Sequence, residues 1–193
     1  RLVDLIVPII ENAHQQPVGA AGRARLLAGM DGLKTRAKDL LELAESAVFY
    51  CRDGVQPLTE KAEKLLDAEA RERLGQLASR LDSLDAWDED TLQETAKALA
   101  EDAGVKLVKV AQPLRAAVTG SNMSPSMFEV MRILGREETM LRLRPTPANL
   151  TYFGKGYQLA AKAFLSRIAT RQCRLYVAAQ PGERVKAPRG AGP

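Results

Sequence analysis

Residues 106–138 read KLVKVAQPLRAAVTGSNMSPSMFEVMRILGREE, and this stretch decides the fold class. Apolar residues recur in it at the three- and four-residue spacing of a helix face. A first helix is predicted at 106–117. Ser124-Pro125 is a typical helix start, since serine caps a free N–H group and proline fits the first helical position. The second helix is expected to end at Gly135, and the following REETMLRL predicts a short third helix.

Helical periodicity extends upstream through most of the chain. The sequence is rich in the strong helix formers Leu, Ala, Glu, Lys and Arg, and only 5% of its residues are aromatic. Further helices are predicted at 2–13, at 20–30, at 33–50, after an N-cap at Thr59, at 69–84, and from a capping box at Asp90 to Gln93 as far as about residue 102. No alternating strand pattern competes with them, so an all-α fold is expected.

Charge is distributed unevenly along the chain. Residues 144–193 contain nine of the 28 Lys and Arg residues but only one of the 24 acidic residues. Residues 1–143 therefore have a net charge of −4, and nucleic-acid binding there must use individually placed cations, not a bulk positive field. We expect a bundle of two small helical subdomains, 1–60 and 61–143, followed by a basic extension at 144–193 that is partly helical and then disordered.

The sequence lacks the motifs of common catalytic sites. It has no GxxxxGK[ST] phosphate loop, no GxGxxG after a strand and no GxSxG. His14 is the single histidine, so neither a nucleophilic triad nor a zinc site is indicated. The two cysteines, Cys51 and Cys173, favour a reducing compartment over a disulfide framework. No apolar run reaches membrane-spanning length, and Asp4 interrupts the N-terminal apolar segment, which argues against a signal peptide.

A dense set of motifs points to a known family. They are Ala111-Gln112-Pro113-Leu114-Arg115, Thr119-Gly120, Ser124-Pro125, Phe128-Glu129 and Leu134-Gly135-Arg136-Glu137. Upstream, GLKTRAKDLLELAESAVFY at 32–50 and the tryptophan at position 87 agree with the same pattern. With these motifs, residues 1–143 resemble the C-terminal anticodon-binding region of bacterial glutamyl-tRNA synthetases (glutamate–tRNA ligases), which are class I aminoacyl-tRNA synthetases.

The resemblance implies an all-helical cage that grips the anticodon loop of the glutamate tRNA, tRNA(Glu). In this family the catalytic site lies upstream, in a Rossmann-type domain with HIGH-like and KMSKS-like motifs, and neither motif is present here. ATP, with Mg, would be used by that missing domain, so this chain is expected to bind no cofactor and no metal. A cytoplasmic, monomeric protein without membrane contact is expected.

The family's anticodon contacts correspond to particular residues of this sequence. The arginine that reads the third anticodon base matches Arg36 best, with Lys34 and Lys38 as alternatives. Arg36 favours a parent that charges only tRNA(Glu), although charging of glutamine tRNA stays open. The other expected RNA contacts are Arg115, Ser124, Pro125, Met127 and Phe128. Ser126 stands where the family usually has glycine, which weakens the expectation of close backbone approach to RNA there.

These residue types suit the recognition of a single-stranded loop. Arginine offers two parallel donors to a base edge, and unstacked loop bases stack on apolar side chains. Free N–H groups at a helix start favour a phosphate or a base acceptor.

Each expected contact also has an ordinary structural interpretation. Phe128 and Met127 fit a helical core, whereas Arg36 and Arg115 fit a solvated helix face or a surface ion pair. The basic extension could bind an RNA backbone or be an appendage without a selected fold. For the whole chain, the alternative function is a stand-alone helical adaptor that binds RNA or a protein without catalysis.

Overall fold

The computed structural model describes residues 1–143, and in this part of the chain all the regular structure is helical. The helices are α1 (Leu2–His14), α2 (Ala20–Lys34), α3 (Leu40–Cys51), α4 (Glu60–Glu63), α5 (Ala68–Asp82), α6 (Glu89–Asp102), α7 (Val108–Thr119) and α8 (Met127–Leu143). The all-α prediction is confirmed. The predicted basic extension at 144–193 lies outside the described residues.

Helices α1, α2 and α3 form the first packed group, in which each helix contacts the other two. The buried stripe of α1 consists of Val3, Ile6, Val7 and Ile10, which recur at helical spacing. Gly29 of α2 lies against the ring of Tyr50 from α3, and a Cβ atom at residue 29 would be 2.5 Å from Tyr50 Cε2. Only glycine therefore allows this close approach of the two helices.

The structure corrects two predicted helix boundaries. The helix predicted at 20–30 continues to Lys34, because the glycines that looked like a stop signal are needed for packing. The continuous helix predicted at 33–50 is wrong, since α3 begins only after Asp39. The Asp39 carboxylate accepts hydrogen bonds from two N–H groups in the first turn of α3, at 2.9 and 2.8 Å, and so caps the helix there. Arg36 consequently lies in the α2–α3 loop and not on a helix.

Helices α5 to α8 form the second packed group, and the short α4 packs against α7. The predicted N-cap at Thr59 is confirmed, because its hydroxyl accepts a hydrogen bond of 3.2 Å from the N–H of Ala62. The capping box predicted at Asp90 is wrong. Asp88 caps α6 instead, accepting a 2.9 Å hydrogen bond from the N–H of Thr91, and its extended backbone is that of a cap residue.

The start of α8 also differs from the prediction. Helix α8 begins at Met127, so Ser124-Pro125 precedes the helix and does not open it. The Ser124 hydroxyl instead donates to the carbonyl oxygen of Pro125 at 2.9 Å and accepts from a side chain of α7. The predicted break at Gly135 is confirmed, since its φ of 81° and ψ of 167° interrupt α8.

The two packed groups contact each other between α2 and α8 and at Arg142, whose side chain is fully buried. Its Nε donates to Glu138 Oε1 at 2.7 Å. One terminal nitrogen donates to the carbonyl oxygen of Val118 on α7, at 2.8 Å. The other donates to the carbonyl oxygens of Phe49 and Arg52 at the end of α3, at 3.0 and 2.6 Å. A single guanidinium group thus bonds both groups of helices.

We expect Gly29→Ala to destabilise the chain by about 1–3 kcal/mol, because the added methyl group overlaps the Tyr50 ring. Thermal or urea denaturation measures this loss. Gly19→Ala is the control at an open position, since nothing lies within 4 Å of a Cβ atom there; as the N-cap of α2 it should cost only about 1 kcal/mol or less. An equal loss in the two variants would contradict the tight packing of α2 against α3.

Candidate nucleic-acid interface

Two arginines from different packed groups lie within electrostatic range of each other. Arg36 is exposed in the α2–α3 loop, and Arg115 is half-buried on α7. The pKa of the Arg115 guanidinium lies below its usual range because of burial and, second, the positive charge of Arg36. No carboxylate among residues 1–143 forms an ion pair with either side chain. Two neighbouring cations without a counter-ion in the described part of the chain make a surface suited to an anionic ligand.

A glycine contact between the two groups of helices brings these arginines together. A Cβ atom at Gly32, near the end of α2, would be 3.0 Å from Pro125 Cβ and 3.1 Å from Glu129 Oε2. The end of α2 therefore lies directly on the segment that leads into α8. Arg36 lies four residues after Gly32, and Ser124 adjoins Pro125. The α2–α3 loop therefore lies near Ser124, which accepts a hydrogen bond from Arg115.

The orientation of Arg115 is fixed by Ser124. Arg115 Nε donates to the Ser124 hydroxyl oxygen at 2.9 Å, and that hydroxyl donates onward to Pro125. Within residues 1–143, the two terminal nitrogens of Arg115 donate no hydrogen bond. They are the parallel pair of donors that arginine uses for bidentate contacts to a base edge or a phosphate.

The other predicted contact residues differ in their exposure. Ser124 and Pro125 are buried beside Arg115, and Met127 is only 2% exposed within the core. Phe128 is half-buried and packs against the core. The structure therefore brings Arg36, Arg115, Ser124 and Pro125 together. Of the two alternatives to Arg36, Lys34 forms an ion pair with Asp31, whereas no ion pair of Lys38 is seen in the described region.

The sequence patterns did not predict the exposed apolar side chains that lie near Ser124 and Arg36 in the sequence. Met123 precedes Ser124 and is 72% exposed, and Leu41 in the first turn of α3 is 63% exposed. Both lie close in sequence to the residues that surround the arginine pair. Met123 stands in the turn SNMSP, outside any helical stripe, and that isolated position was the available signal. Exposed apolar side chains beside arginines provide stacking surfaces for unpaired bases.

Metal binding and nucleophilic chemistry were expected from neither the cysteines nor the single histidine, and the surroundings of these groups can be described for residues 1–143. No group of three or more His, Cys, Asp or Glu side chains in residues 1–143 could hold a metal ion. Burial raises the pKa of the Cys51 thiol to about 11, so the thiolate that acts as a nucleophile is scarce at neutral pH. His14 Nδ1 lies 2.6 Å from a terminal nitrogen of Arg52, which occupies that ring nitrogen. None of the helices in residues 1–143 combines the length and the apolar character needed to cross a membrane.

Comparison with known proteins identifies the family to which this chain belongs. Residues 1–146 match the family described as "Anticodon binding domain". The chain belongs to the anticodon-binding domain family. It is 51% identical over 144 residues to "Glutamate--tRNA ligase 2" of Rhodospirillum rubrum, covering 75% of this chain and 31% of that protein. It is 48% identical over 131 residues to "Glutamate--tRNA ligase 1" of Erythrobacter litoralis, covering 67% and 27% of the two chains.

A solved structure shows the same fold for this anticodon-binding domain. A crystal structure of a glutamate tRNA ligase from Elizabethkingia meningosepticum in complex with its amino acid superposes with a TM-score of 0.56. The sequences are 24% identical, and the match covers 74% of this chain and 28% of the other. The domain thus corresponds to the C-terminal part of glutamate–tRNA ligases and spans less than a third of their length. The resemblance found in the sequence is confirmed.

We expect Arg36→Glu to stabilise the free domain by about 0.2–1 kcal/mol at low salt, because a carboxylate would replace one of two neighbouring cations on an exposed loop. Thermal denaturation at low and high salt measures the gain, which should fall as salt increases. The control is the same substitution in an Arg115→Met chain, where the gain should vanish. An equal gain in both backgrounds would show that the two side chains do not interact.

Proposed function

We propose that this domain binds the anticodon loop of tRNA(Glu), as one part of a longer protein that attaches glutamate to that tRNA with ATP. The observation that supports this proposal best is the pair formed by Arg36 and Arg115, which lack a carboxylate partner in the described part of the chain. Such a pair carries a standing electrostatic cost in the free protein. A ligand with acceptor atoms or negative charge removes that cost on binding.

Charge distribution favours RNA contact at this particular surface. Residues 1–143 have a net charge of −4, so the domain as a whole repels a polyanion. The arginine pair is therefore a local exception, and its position decides which part of an RNA can dock. Within the proposal, Arg36 and Arg115 donate to base edges or phosphates, and Met123 offers an apolar surface to an unstacked base.

The remaining predicted residues have different roles in the proposed RNA binding. Ser124 orients Arg115 through its hydrogen bond, and Pro125 holds the α2–α3 loop in place through its contact with Gly32. Phe128 is accessible enough to touch RNA at its edge. Met127 is packed in the core and supports the start of α8, so its own contact with RNA stays a prediction.

We further propose that subdomain 1–60 supplies Arg36 and subdomain 61–143 supplies Arg115, so that the loop is read between them. ATP and Mg would act on a separate part of the parent protein, and the described residues hold no group that fits a metal ion. In the proposed role the protein works in the cytoplasm as a monomer. A stand-alone adaptor remains the alternative outcome of the binding test.

We expect Arg36→Ala and Arg115→Ala each to weaken binding of a tRNA(Glu) transcript by about 5- to 150-fold, the range expected for loss of one bidentate base contact. Binding of a transcript with an altered anticodon loop should change much less. Fluorescence anisotropy at fixed salt measures both affinities, because salt alone shifts protein–RNA affinity strongly.

Arg80→Ala is the matched control, because it also removes one partly exposed cation, and Arg80 is paired with Asp102. It should leave both affinities unchanged. Equal binding of the unchanged chain to all tRNAs would refute the proposal and leave the adaptor as the better hypothesis. A uniform loss for every transcript in the two alanine variants would mean that the arginines contact phosphate only.

A further inference from the structure

The buried Arg142 contacts the two helices on which the exposed arginine pair depends. It donates to the carbonyl oxygen of Val118, which lies three residues after Arg115 on α7. It also donates to the carbonyl oxygens of Phe49 and Arg52, where α3 ends. The loop that carries Arg36 leads directly into the start of α3. Arg142 therefore ties the end of one supporting helix to the end of the other.

Glu138 completes this junction. Its Oε1 accepts from Arg142 Nε and, at 2.7 Å, from the backbone N–H of Gly54 in the segment that joins the two groups of helices. The Arg142 side chain is fully buried, and Glu138 is 8% exposed. Arg142 is thus out of reach of a docked RNA, and any effect it has on binding must pass through the helices that it holds.

The length of α3 means that a small tilt at this junction would move the loop that carries Arg36. Helix α3 has 12 residues and a length of about 18 Å, so a tilt of ~10° at its clamped end would move its first residue by about 3 Å. A shift of that size exceeds the tolerance of a hydrogen-bonded base contact. On the α2 side of the loop, Gly32 packs against Pro125 and Glu129, and this contact holds the loop by packing, without a hydrogen bond across it in the described residues.

We propose that Arg142 is a positioning residue for anticodon recognition, which sets the separation of Arg36 and Arg115 by bonding the ends of α3 and α7. This inference rests on the proposed function. Without the junction, the domain keeps its helices and both exposed cations, but the two guanidinium groups no longer match one set of acceptors.

The test compares loop discrimination with stability in the 193-residue chain. Discrimination is the ratio of affinities for a tRNA(Glu) transcript and for the same transcript with an altered anticodon loop. The main variant is Glu138→Met/Arg142→Met, because replacing both members of a buried ion pair by apolar residues often preserves the fold, whereas removing one member leaves an unpaired buried charge. Circular dichroism and thermal denaturation record its folding.

Leu99→Ala is the matched control. Leu99 is buried in α6, within the second group of helices, so its truncation lowers stability without touching the junction. Arg142→Lys is a second test variant, which keeps the cation but cannot reach all four acceptors with its three donors. If the double variant does not fold, the discrimination of Arg142→Lys tests the inference instead.

We expect the double variant to lose about tenfold or more in discrimination, mainly through weaker binding of the cognate transcript. Arg142→Lys should lose part of the discrimination, and Leu99→Ala should keep full discrimination at a comparable loss of thermal stability. Unchanged discrimination in a folded junction variant, or an equal loss in Leu99→Ala, would overturn this inference alone. Absence of discrimination in the unchanged chain would overturn the proposed function and this inference together.

Discussion

The buried guanidinium of Arg142 is the interaction on which the arrangement of the two helical groups depends. A charge that is removed from water is tolerated only if its donors are bonded and its charge is balanced. Burial lowers the pKa of Arg142 and the carboxylate of Glu138 opposes that effect, so the ion pair supplies the balance. The bonded carbonyl oxygens lie at the ends of α3 and α7, where a helix has no intrahelical donors left to offer. The junction therefore satisfies helix termini and a buried cation at the same time.

A second constraint comes from α2, which packs against α3 and against the segment before α8. Glycines at positions 29 and 32 let α2 approach Tyr50 and Pro125 closely, and this approach places the Arg36 loop beside Arg115. The fold thus holds two like charges together in a domain that is otherwise net acidic. Binding sites commonly retain such locally unfavourable arrangements, because the ligand supplies the missing partner. In the proposed function, recognition depends on where cations are placed and not on how many there are.

The sequence predicted the helical class, the Thr59 cap and the break at Gly135, because these follow from periodicity and local backbone preferences. It failed at Gly29 and Gly32, where local rules indicate a helix end but tertiary packing requires a small residue inside a helix. The burial of Arg142 was not predictable from the sequence either, since an arginine in a charged helix usually lies on a solvated face. Its burial depends on carbonyl oxygens that lie 24 and more residues away in the sequence. The motif match identified the residues around Arg115 but not Met123, whose exposure only the folded chain reveals.

The most direct test of the proposed recognition surface is an NMR titration of the chain with an isolated anticodon stem–loop of tRNA(Glu), observed at the arginine Nε–H resonances. The resonances of Arg36 and Arg115 should both shift and saturate at the same RNA concentration, because one ligand engages both. The Arg142 resonance should stay protected from solvent exchange throughout, since its donors are already bonded. A shift of only one of the two exposed arginines, or saturation of the two at different concentrations, would contradict the claim that they form one recognition surface.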